Sequence, residues 1–309
     1  NDSQVIISLM TQIKQITKKY CDILKKSSFL GEVDYSMADR LVMATDNSIY
    51  QILPQAVLFP KSHNDIKVAL NLSQEALFSD LYFAPRGGGT GTNGQSLTSG
   101  IVIDCSRYMT KIIELNLEEK WVKVQPGVVL DSLNSFLKPH GFFFAPTVSP
   151  SNRATIGGMI GTDASGKGSR VYGKTCDHIL SLKNILFNGD DFETSLIDSK
   201  NAEELKKQPG FLSSFLILIE SLVTKHQSEI TNVFSKLSRC LTGYNLLQVY
   251  NPTCRLFNLN TLIAGSEGTL AVTTEATLKL TPIPKHKRLI IVHYPSLHDA
   301  LLDAPKLIM

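Results

Sequence analysis

A mixed fold of class α+β is predicted by three observations. Within residues 56–84 an apolar run, a capped helical pattern and a second apolar run form a βαβ unit. From Lys200 to Val249 the pattern is mainly helical, and Val272, Thr274, Ala276, Leu278 and Leu280 alternate like a half-buried strand. The 309 residues are 43% hydrophobic and 19% charged, too apolar for disorder and sufficient for one large core or two modest ones.

Val5, Leu9, Ile13, Ile16, Tyr20 and Ile23 recur at helical spacing, which predicts an amphipathic packing arm ahead of the main domain. Ala56-Val57-Leu58-Phe59 reads as a buried strand. Asp65 then caps a helix carrying Ile66, Ala69, Leu70, Ser73 and Leu77, and Leu81-Tyr82-Phe83-Ala84 reads as a second, parallel strand. Strands follow at Ile101–Asp104 and Trp121–Gln125, then a helix from Val129 to His140 stopped by Gly141, then a stretch rich in Gly, Ser and Thr as far as Gly173. Pro282, Pro284, Lys285, Lys287 and Arg288 mark a linker before a new strand–helix pair. No internal repeat or low-complexity tract interrupts this order.

Composition excludes several classes. The 31 basic and 28 acidic residues leave +3, with the basic ones scattered, so no stripe exists to neutralise nucleic-acid phosphates. The longest apolar stretch, Phe211 to Val223, is broken by Ser213, Ser214, Glu220 and Ser221 and falls short of the roughly 20 residues that span a bilayer, so no transmembrane segment is predicted. Five cysteines, odd in number and without a CxxC pair, argue against a disulfide framework and a cysteine metal site, and favour a reduced, cytoplasmic chain. The seven histidines show no HxxH or HExxH spacing and read as structural or exposed, so no metal site is predicted. Asn1-Asp2-Ser3-Gln4 carries neither an initiator Met nor a signal peptide, and Ser296-Leu297-His298-Asp299 opens a capped helix with no stop signal before Met309. Both ends therefore predict a piece of a longer protein.

Three glycine-rich segments carry the chemistry. Pro85-Arg86-Gly87-Gly88-Gly89-Thr90-Gly91-Thr92-Asn93-Gly94 directly follows a predicted strand. Its glycines let successive N–H groups face one concavity, which holds a pyrophosphate without a side-chain cation, and Arg86 adds a charge. Gly89-x-Gly91-x-x-Gly94 matches the dinucleotide fingerprint, but a strand follows where that motif must open a helix, so NAD binding is rejected. A glycine-rich hairpin without a ligand remains the alternative. The second segment runs from Pro146-Thr147-Val148-Ser149-Pro150 through Thr155-Ile156-Gly157-Gly158 to Gly161-Thr162-Asp163-Ala164-Ser165-Gly166-Lys167-Gly168. Gly168 stands where a nucleotide triphosphatase needs the magnesium-binding hydroxyl, so that reading is rejected too. What remains suits close approach of backbone to a large flat ligand, although tight helix packing explains Gly157 and Gly158 equally well. The third, Ala264-Gly265-Ser266-Glu267-Gly268-Thr269-Leu270, is by itself ordinary turn chemistry.

Taken in order, Arg86 to Gly91, Thr155 to Gly158, Tyr172-Gly173, Thr242-Gly243-Tyr244-Asn245 and Gly265 to Leu270 resemble the PCMH-type FAD-binding domain of the vanillyl-alcohol oxidase and p-cresol methylhydroxylase family, over about Gln51 to Leu280. The segments Ala44 to Tyr50 and Asp163 to Thr175 are similar to the large bacterial members of its D-lactate, glycolate and D-2-hydroxyglutarate dehydrogenase branch. The resemblance implies an N-terminal arm over 1–50 and a two-lobed FAD domain over 51–284, with a small βαβ lobe (51–105) and a larger mixed or antiparallel sheet lobe (106–284). A substrate cap would begin at 285–309.

Carried over by position, Arg86, Gly87, Gly88, Gly89, Thr90, Gly91, Asn93 and Gly94 would wrap the pyrophosphate and ribityl chain. Pro146, Ser149, Thr155, Gly157, Gly158, Ala164 and Gly166 would line the pyrophosphate and isoalloxazine, with Ile179, Glu267 and Gly268 near the adenine end or its supporting turn. Asp163 stands where many relatives have Asn, so its hydrogen bond would be reversed or shifted. Thr90 stands where covalent members carry a flavin-linked His, so FAD should be non-covalent.

The implied reaction is hydride transfer from a D-2-hydroxy acid (2-hydroxyglutarate, lactate or glycolate class) to FAD, with N–H groups at the Thr155–Gly158 helix start stabilising negative charge. No catalytic base is assigned. In relatives it lies in the cap and C-terminal region, which also hold any metal ligands and the iron–sulfur region, so the chain alone is expected to bind FAD without turnover. An electron acceptor would bring the protein to a membrane surface. Two alternatives are an NADPH-dependent cell-wall sugar reductase on the same fold and a non-catalytic flavin or electron-relay module. The Thr242–Asn245 and Asp163–Thr175 segments disfavour the first. The Arg86–Gly94 loop disfavours loss of flavin, since nothing structural is expected to demand so many glycines.

Overall fold

The computed structural model describes residues 15–234, 243–286 and 288–307. Val5, Leu9 and Ile13 of the predicted first helix, Thr242 of the fourth motif, and Cys240 lie outside the described residues.

A helix described over 15–24 (α1) buries Tyr20, Cys21 and Leu24, and the Tyr20 hydroxyl donates to the Ala69 carbonyl at 2.7 Å. The chain continues through β1 (Glu32–Asp34), α2 (Met37–Val42), β2 (Ala56–Phe59), α3 (His63–Ser73), β3 (Phe83–Arg86) and β4 (Ile101–Asp104). These strands form a sheet in the order β1-β2-β4-β3, with β1 antiparallel to β2 and the remaining pairs parallel. The segment read as an arm thus also contributes a strand.

The βαβ unit forms, but β2 and β3 are not neighbours, because β4 lies between them. Pro85 has no N–H to give a ladder, which suits β3 to the edge, while β4 is buried throughout and takes an interior place. The helix cap also differs from expectation. Ser62 caps α3, its hydroxyl accepting from the Asp65 N–H at 3.1 Å, and the Asp65 carboxylate instead accepts the N–H groups of Leu30 (2.9 Å) and Lys61 (2.8 Å).

The second body contains β5 (Ile112–Asn116), β6 (Trp121–Val124), α4 (Leu130–Leu137), β7 (Phe142–Phe143), α5 (Ile156–Gly161), α6 (Ser169–Tyr172), β8 (Ile179–Leu186) and β9 (Asp191–Ile197). It goes on through α7 (Ser199–Leu205), α8 (Phe211–Lys225), α9 (Gln227–Phe234), α10 (Leu246–Val249), β10 (Tyr250–Asn251), β11 (Leu256–Asn258), α11 (Asn260–Ile263), β12 (Ala271–Lys279) and β13 (Thr281–Pro282). An antiparallel sheet of seven strands runs β10-β11-β9-β8-β12-β6-β5. The alternating stretch at 272–280 is β12, in the middle of that sheet. β5 and the β8–β9 hairpin are not among the predicted strands, although Asn188-Gly189 carries a turn signal.

Leu130, Leu133 and Leu137 of α4, Ile156 and Ile160 of α5, and Leu216 and Val223 of α8 pack with Val122, Leu182 and Leu278 of the sheet. The small lobe has its own core of Tyr20, Leu24, Leu58, Ile66, Leu70 and Ile103, and Ile185 and Val272 of the large sheet belong to it, so the lobes share an apolar seam.

Beyond the linker, α12 (Leu297–Leu307) starts as predicted, with the Ser296 hydroxyl accepting the Asp299 N–H at 3.2 Å. The strand expected before it does not form. Leu289 and Ile290 are 87% and 81% exposed, and with no neighbouring strand to pair with, an apolar run has nothing to make it a strand. Among the described residues no helix is long and apolar enough to cross a membrane.

Candidate functional site

All three glycine segments meet at the C-terminal end of β3. A Cβ on Gly87 would run into the Thr155 hydroxyl, one on Gly88 into the Arg153 carbonyl, and one on Gly268 into the ring of Pro85. The expectation that nothing structural demands the glycines of the Arg86–Gly94 loop is therefore incorrect for two of them: Gly87 and Gly88 are required for the segments to pack, as is Gly268 of the third segment.

The loop after β3 keeps its own backbone donors free. Among the described residues, no protein acceptor takes the N–H groups of Gly87, Gly88, Gly89, Thr90, Gly91 or Thr92. The Asn93 N–H goes to the Gln95 side chain at 3.0 Å, and Gly94 closes the loop, its carbonyl accepting the Leu97 N–H at 3.0 Å. Six consecutive donors without a protein acceptor, five of them on half-exposed residues and the sixth on the exposed Thr92, are the kind of donor set that a pyrophosphate needs.

Opposite Gly87, α5 begins at Thr155, whose hydroxyl caps the helix by accepting the Gly158 N–H at 3.3 Å. Gly157 sits over Pro126, its N–H donating to the Pro126 carbonyl at 2.7 Å. The third segment closes the other end of α5. The Gly265 N–H donates to the Ile160 carbonyl at 3.0 Å and the Glu267 N–H to the Gly161 carbonyl at 2.8 Å, satisfying carbonyls the helix end leaves open. Glu267 itself is exposed, and its positive φ of 51° belongs to this turn.

The wall beside α5 is built from 145–149 and 163–176. Pro146 is buried and Ser149 is exposed. Gly166 lies against the Thr147 carbonyl, and the Thr147 hydroxyl accepts the Gly168 N–H at 3.2 Å. Ala164 is fastened three times: its N–H donates to the Met159 carbonyl at 2.8 Å, and its carbonyl accepts the Thr175 N–H at 3.1 Å and the Thr175 hydroxyl at 2.8 Å. Asp163 has a left-handed backbone (φ 45°), and its buried carboxylate pairs with Lys174 while also accepting the Cys176 N–H at 2.9 Å. Burial draws the Lys174 ammonium down, but the Asp163 hydrogen bond and nearby negative charges carry it net upward; burial pushes the Cys176 thiol up. Lys174 was not singled out as a site residue, and a lysine eleven positions beyond an aspartate carries no local signal of a pair.

Arg86 does not stand free beside the glycine loop. Its guanidinium donates to the Thr45 carbonyl at 2.6 Å, to the Met43 carbonyl at 3.3 Å and to the Ser96 hydroxyl at 3.4 Å. Burial lowers its proton affinity, with the carboxylates of Asp104 and Asp46 opposing. Ile179 opens β8, and the Asn260 amide donates to its carbonyl at 3.5 Å. His178, next to it, is buried with Nε2 2.7 Å from the Tyr172 carbonyl, a structural arrangement. Gly243 and Tyr244 of the fourth motif reach the third segment through the Tyr244 hydroxyl, 2.9 Å from that of Thr269. No cluster of His, Cys, Asp and Glu able to hold a metal occurs among the described residues.

Residues 54–195 match the family described as FAD binding domain. The chain is 47% identical to the D-2-hydroxyglutarate dehydrogenase of Pantoea ananatis (strain AJ13355), over 98% of this chain and 30% of that protein. It is also 47% identical to the D-2-hydroxyglutarate dehydrogenase of Escherichia coli (strain K12), over 97% and 29% respectively. Glycolate oxidase subunit GlcD of Bacillus subtilis (strain 168) is 28% identical over 92% of this chain and 49% of its own length. Among solved structures, an alkyldihydroxyacetonephosphate synthase superposes with a TM-score of 0.61 at 18% identity, covering 87% of this chain and 41% of that one, which shows a shared fold. The chain therefore spans about 30% of the length of the dehydrogenases it resembles most among these.

Proposed function

We infer, for a chain whose residues 54–195 belong to the FAD-binding domain family, that it is the flavin-holding part of an enzyme that oxidises a D-2-hydroxy acid to the 2-oxo acid. The observation that carries the reading is the run of N–H groups from Gly87 to Thr92 without a protein acceptor, starting where Gly87 lies against the Thr155 cap of α5, joined to 47% identity with two D-2-hydroxyglutarate dehydrogenases. The 2-hydroxyglutarate class is thereby favoured over lactate and glycolate.

Bound FAD supplies one piece of chemistry, acceptance of a hydride from the substrate's α-carbon. The chain supplies the rest of the holding. Loop 87–92 binds the pyrophosphate through backbone, and the buried Pro146 and half-buried Ala164 exclude water from that wall. The start of α5 is not assigned the expected charge stabilisation, because the N–H groups of Ile156, Gly157 and Gly158 already donate to the Val128 carbonyl, the Pro126 carbonyl and the Thr155 hydroxyl. Thr90 has no nucleophilic ring nitrogen, which supports non-covalent attachment. Ile179, Glu267 and Gly268 support the adenine end and its turn in this reading.

Substrate pocket, catalytic base and iron–sulfur region are assigned to the parts of the full enzyme that this chain does not span. The apolar run Leu289–Val292 and the leucines Leu297, Leu301 and Leu302 of α12, all exposed, support a domain packing there. The free, buried thiols of Cys21, Cys105 and Cys176 support a reducing, cytoplasmic compartment.

The test is a visible spectrum of the purified chain with FAD added, before and after acid precipitation. Flavin bands that pass wholly to the supernatant support the reading. A colourless protein, for this chain and also for a full-length version, overturns it.

A further inference from the structure

We propose that Arg86 is a positioning residue: its guanidinium straps segment 43–50 beneath the glycine loop and holds the loop in its anion-receiving shape, while the phosphates are bound by backbone alone. The inference rests on the flavin reading and assigns this arginine a role other than the cationic phosphate ligand that its place beside the glycines suggests.

The guanidinium is already committed. Two of its bonds go to the carbonyls of Met43 and Thr45 and one to the Ser96 hydroxyl at the far end of the loop. A Cβ on Gly89 would lie 2.5 Å from its Nη2, so the loop is folded directly over the charge. That charge is compensated as well, because Asp46 and Asp104 both act on it. Asp46 ties the same parts together from the other side by accepting the Ser96 hydroxyl at 3.1 Å, and its own segment is turned locally by the Ser48 N–H, which it accepts at 2.8 Å. A third contact joins the segments where a Cβ on Gly94 would lie 2.9 Å from the ring of Tyr50. A planar fork with several fixed donors can serve Met43, Thr45 and Ser96 together, whereas a lysine ammonium is a point charge on a flexible stem.

The roles separate on substitution. A phosphate ligand needs charge, so Arg86→Lys would keep most of the FAD affinity. A strap needs the fork, so Arg86→Lys and Arg86→Met should each lose roughly tenfold or more in affinity for FAD and for ADP. The salt dependence of binding should stay that of the unsubstituted protein, because no phosphate contact is removed. Asp46→Asn should lose affinity too, and combined with Arg86→Met should add little, since both cut one strap. Limited proteolysis without ligand should show new cleavage within 43–50 in each variant. Ser96→Ala, a milder cut, should give a smaller change of the same kind if Arg86→Met fails to fold. Retained affinity in Arg86→Lys with a flattened salt dependence in Arg86→Met would overturn the proposal, as would unaltered proteolysis. Failure of the unsubstituted protein to take up FAD or ADP would instead count against the flavin reading, leaving the proteolysis to decide the strap.

Discussion

His63 Nε2 lies 2.6 Å from Asp191 Oδ1, across the seam between the small lobe and the large sheet. Its Nδ1 lies 2.8 Å from the hydroxyl of Thr274, a residue at a bulge in β12 that itself donates to the Lys183 carbonyl at 3.0 Å. His63 begins a polar stripe on α3. Lys67, one turn on, pairs with the same Asp191, Asn71 lies against Gly189, and Gln74 just past the helix donates to the Phe187 carbonyl at 2.8 Å. These side chains lie at i, i+4, i+8 and i+11, which is one face of a helix.

That stripe makes a stability prediction. His63→Ala removes two tethers, one of them to a half-exposed carboxylate, and should cost about 1 kcal/mol after allowing for solvent screening. In a double-mutant cycle with Asp191→Asn, urea denaturation should show that the two losses do not add.

Removing one partner of the Asp163–Lys174 pair should not be symmetrical. Lys174→Met leaves a buried carboxylate with only the Cys176 N–H and should destabilise by roughly 3 kcal/mol. Asp163→Asn keeps an acceptor for that N–H, tolerates the positive φ, and should cost less, about 1–2 kcal/mol. Thermal melts of the two variants check the order, and flavin retention should follow it.

Gly88→Ala should cost about 1–3 kcal/mol and release flavin, because the new methyl meets the Arg153 carbonyl, backbone that cannot swing aside. Gly141→Ala is the control. There a Cβ meets nothing, and only the left-handed φ of 79° is penalised, by about 1 kcal/mol. Flavin fluorescence and denaturation on both variants should show loss of binding in the first alone.

Acid should loosen the loop. Burial pushes the Asp46 carboxyl up, but hydrogen bonds from Ser48 and Ser96 and the charge of Arg86 outweigh this and hold it below the usual carboxylate range. A depressed carboxylate stabilises the fold above its ordinary range, near pH 4, and that contribution is lost as pH falls through the lowered value. Flavin release on titrating downward should set in below about pH 4, and in Asp46→Asn the weakening should already be present at neutral pH.

Elements whose own residues dictate them were legible in the sequence. β2 and the first three residues of β4 are continuous apolar runs, β12 alternates, the short 3-10 turn that follows α4 over 138–140 stops at Gly141 in the left-handed region, and α12 is capped by the predicted box. These follow from local chemistry, since burial on two faces, on one face, or at a helix end each leaves a short-range pattern. The three glycine segments were legible for the same reason, as was their kinship with flavin-binding chains. Only the tertiary structure decided that β4 separates β2 from β3, that Lys174 neutralises Asp163, that three glycines are small because segments far apart in sequence meet at β3, and that Arg86 is spent on Met43, Thr45 and Ser96. Each is a pairing between residues distant along the chain, where the partner is chosen by packing and by the need to satisfy buried charge, and neither leaves a mark on the residues next door.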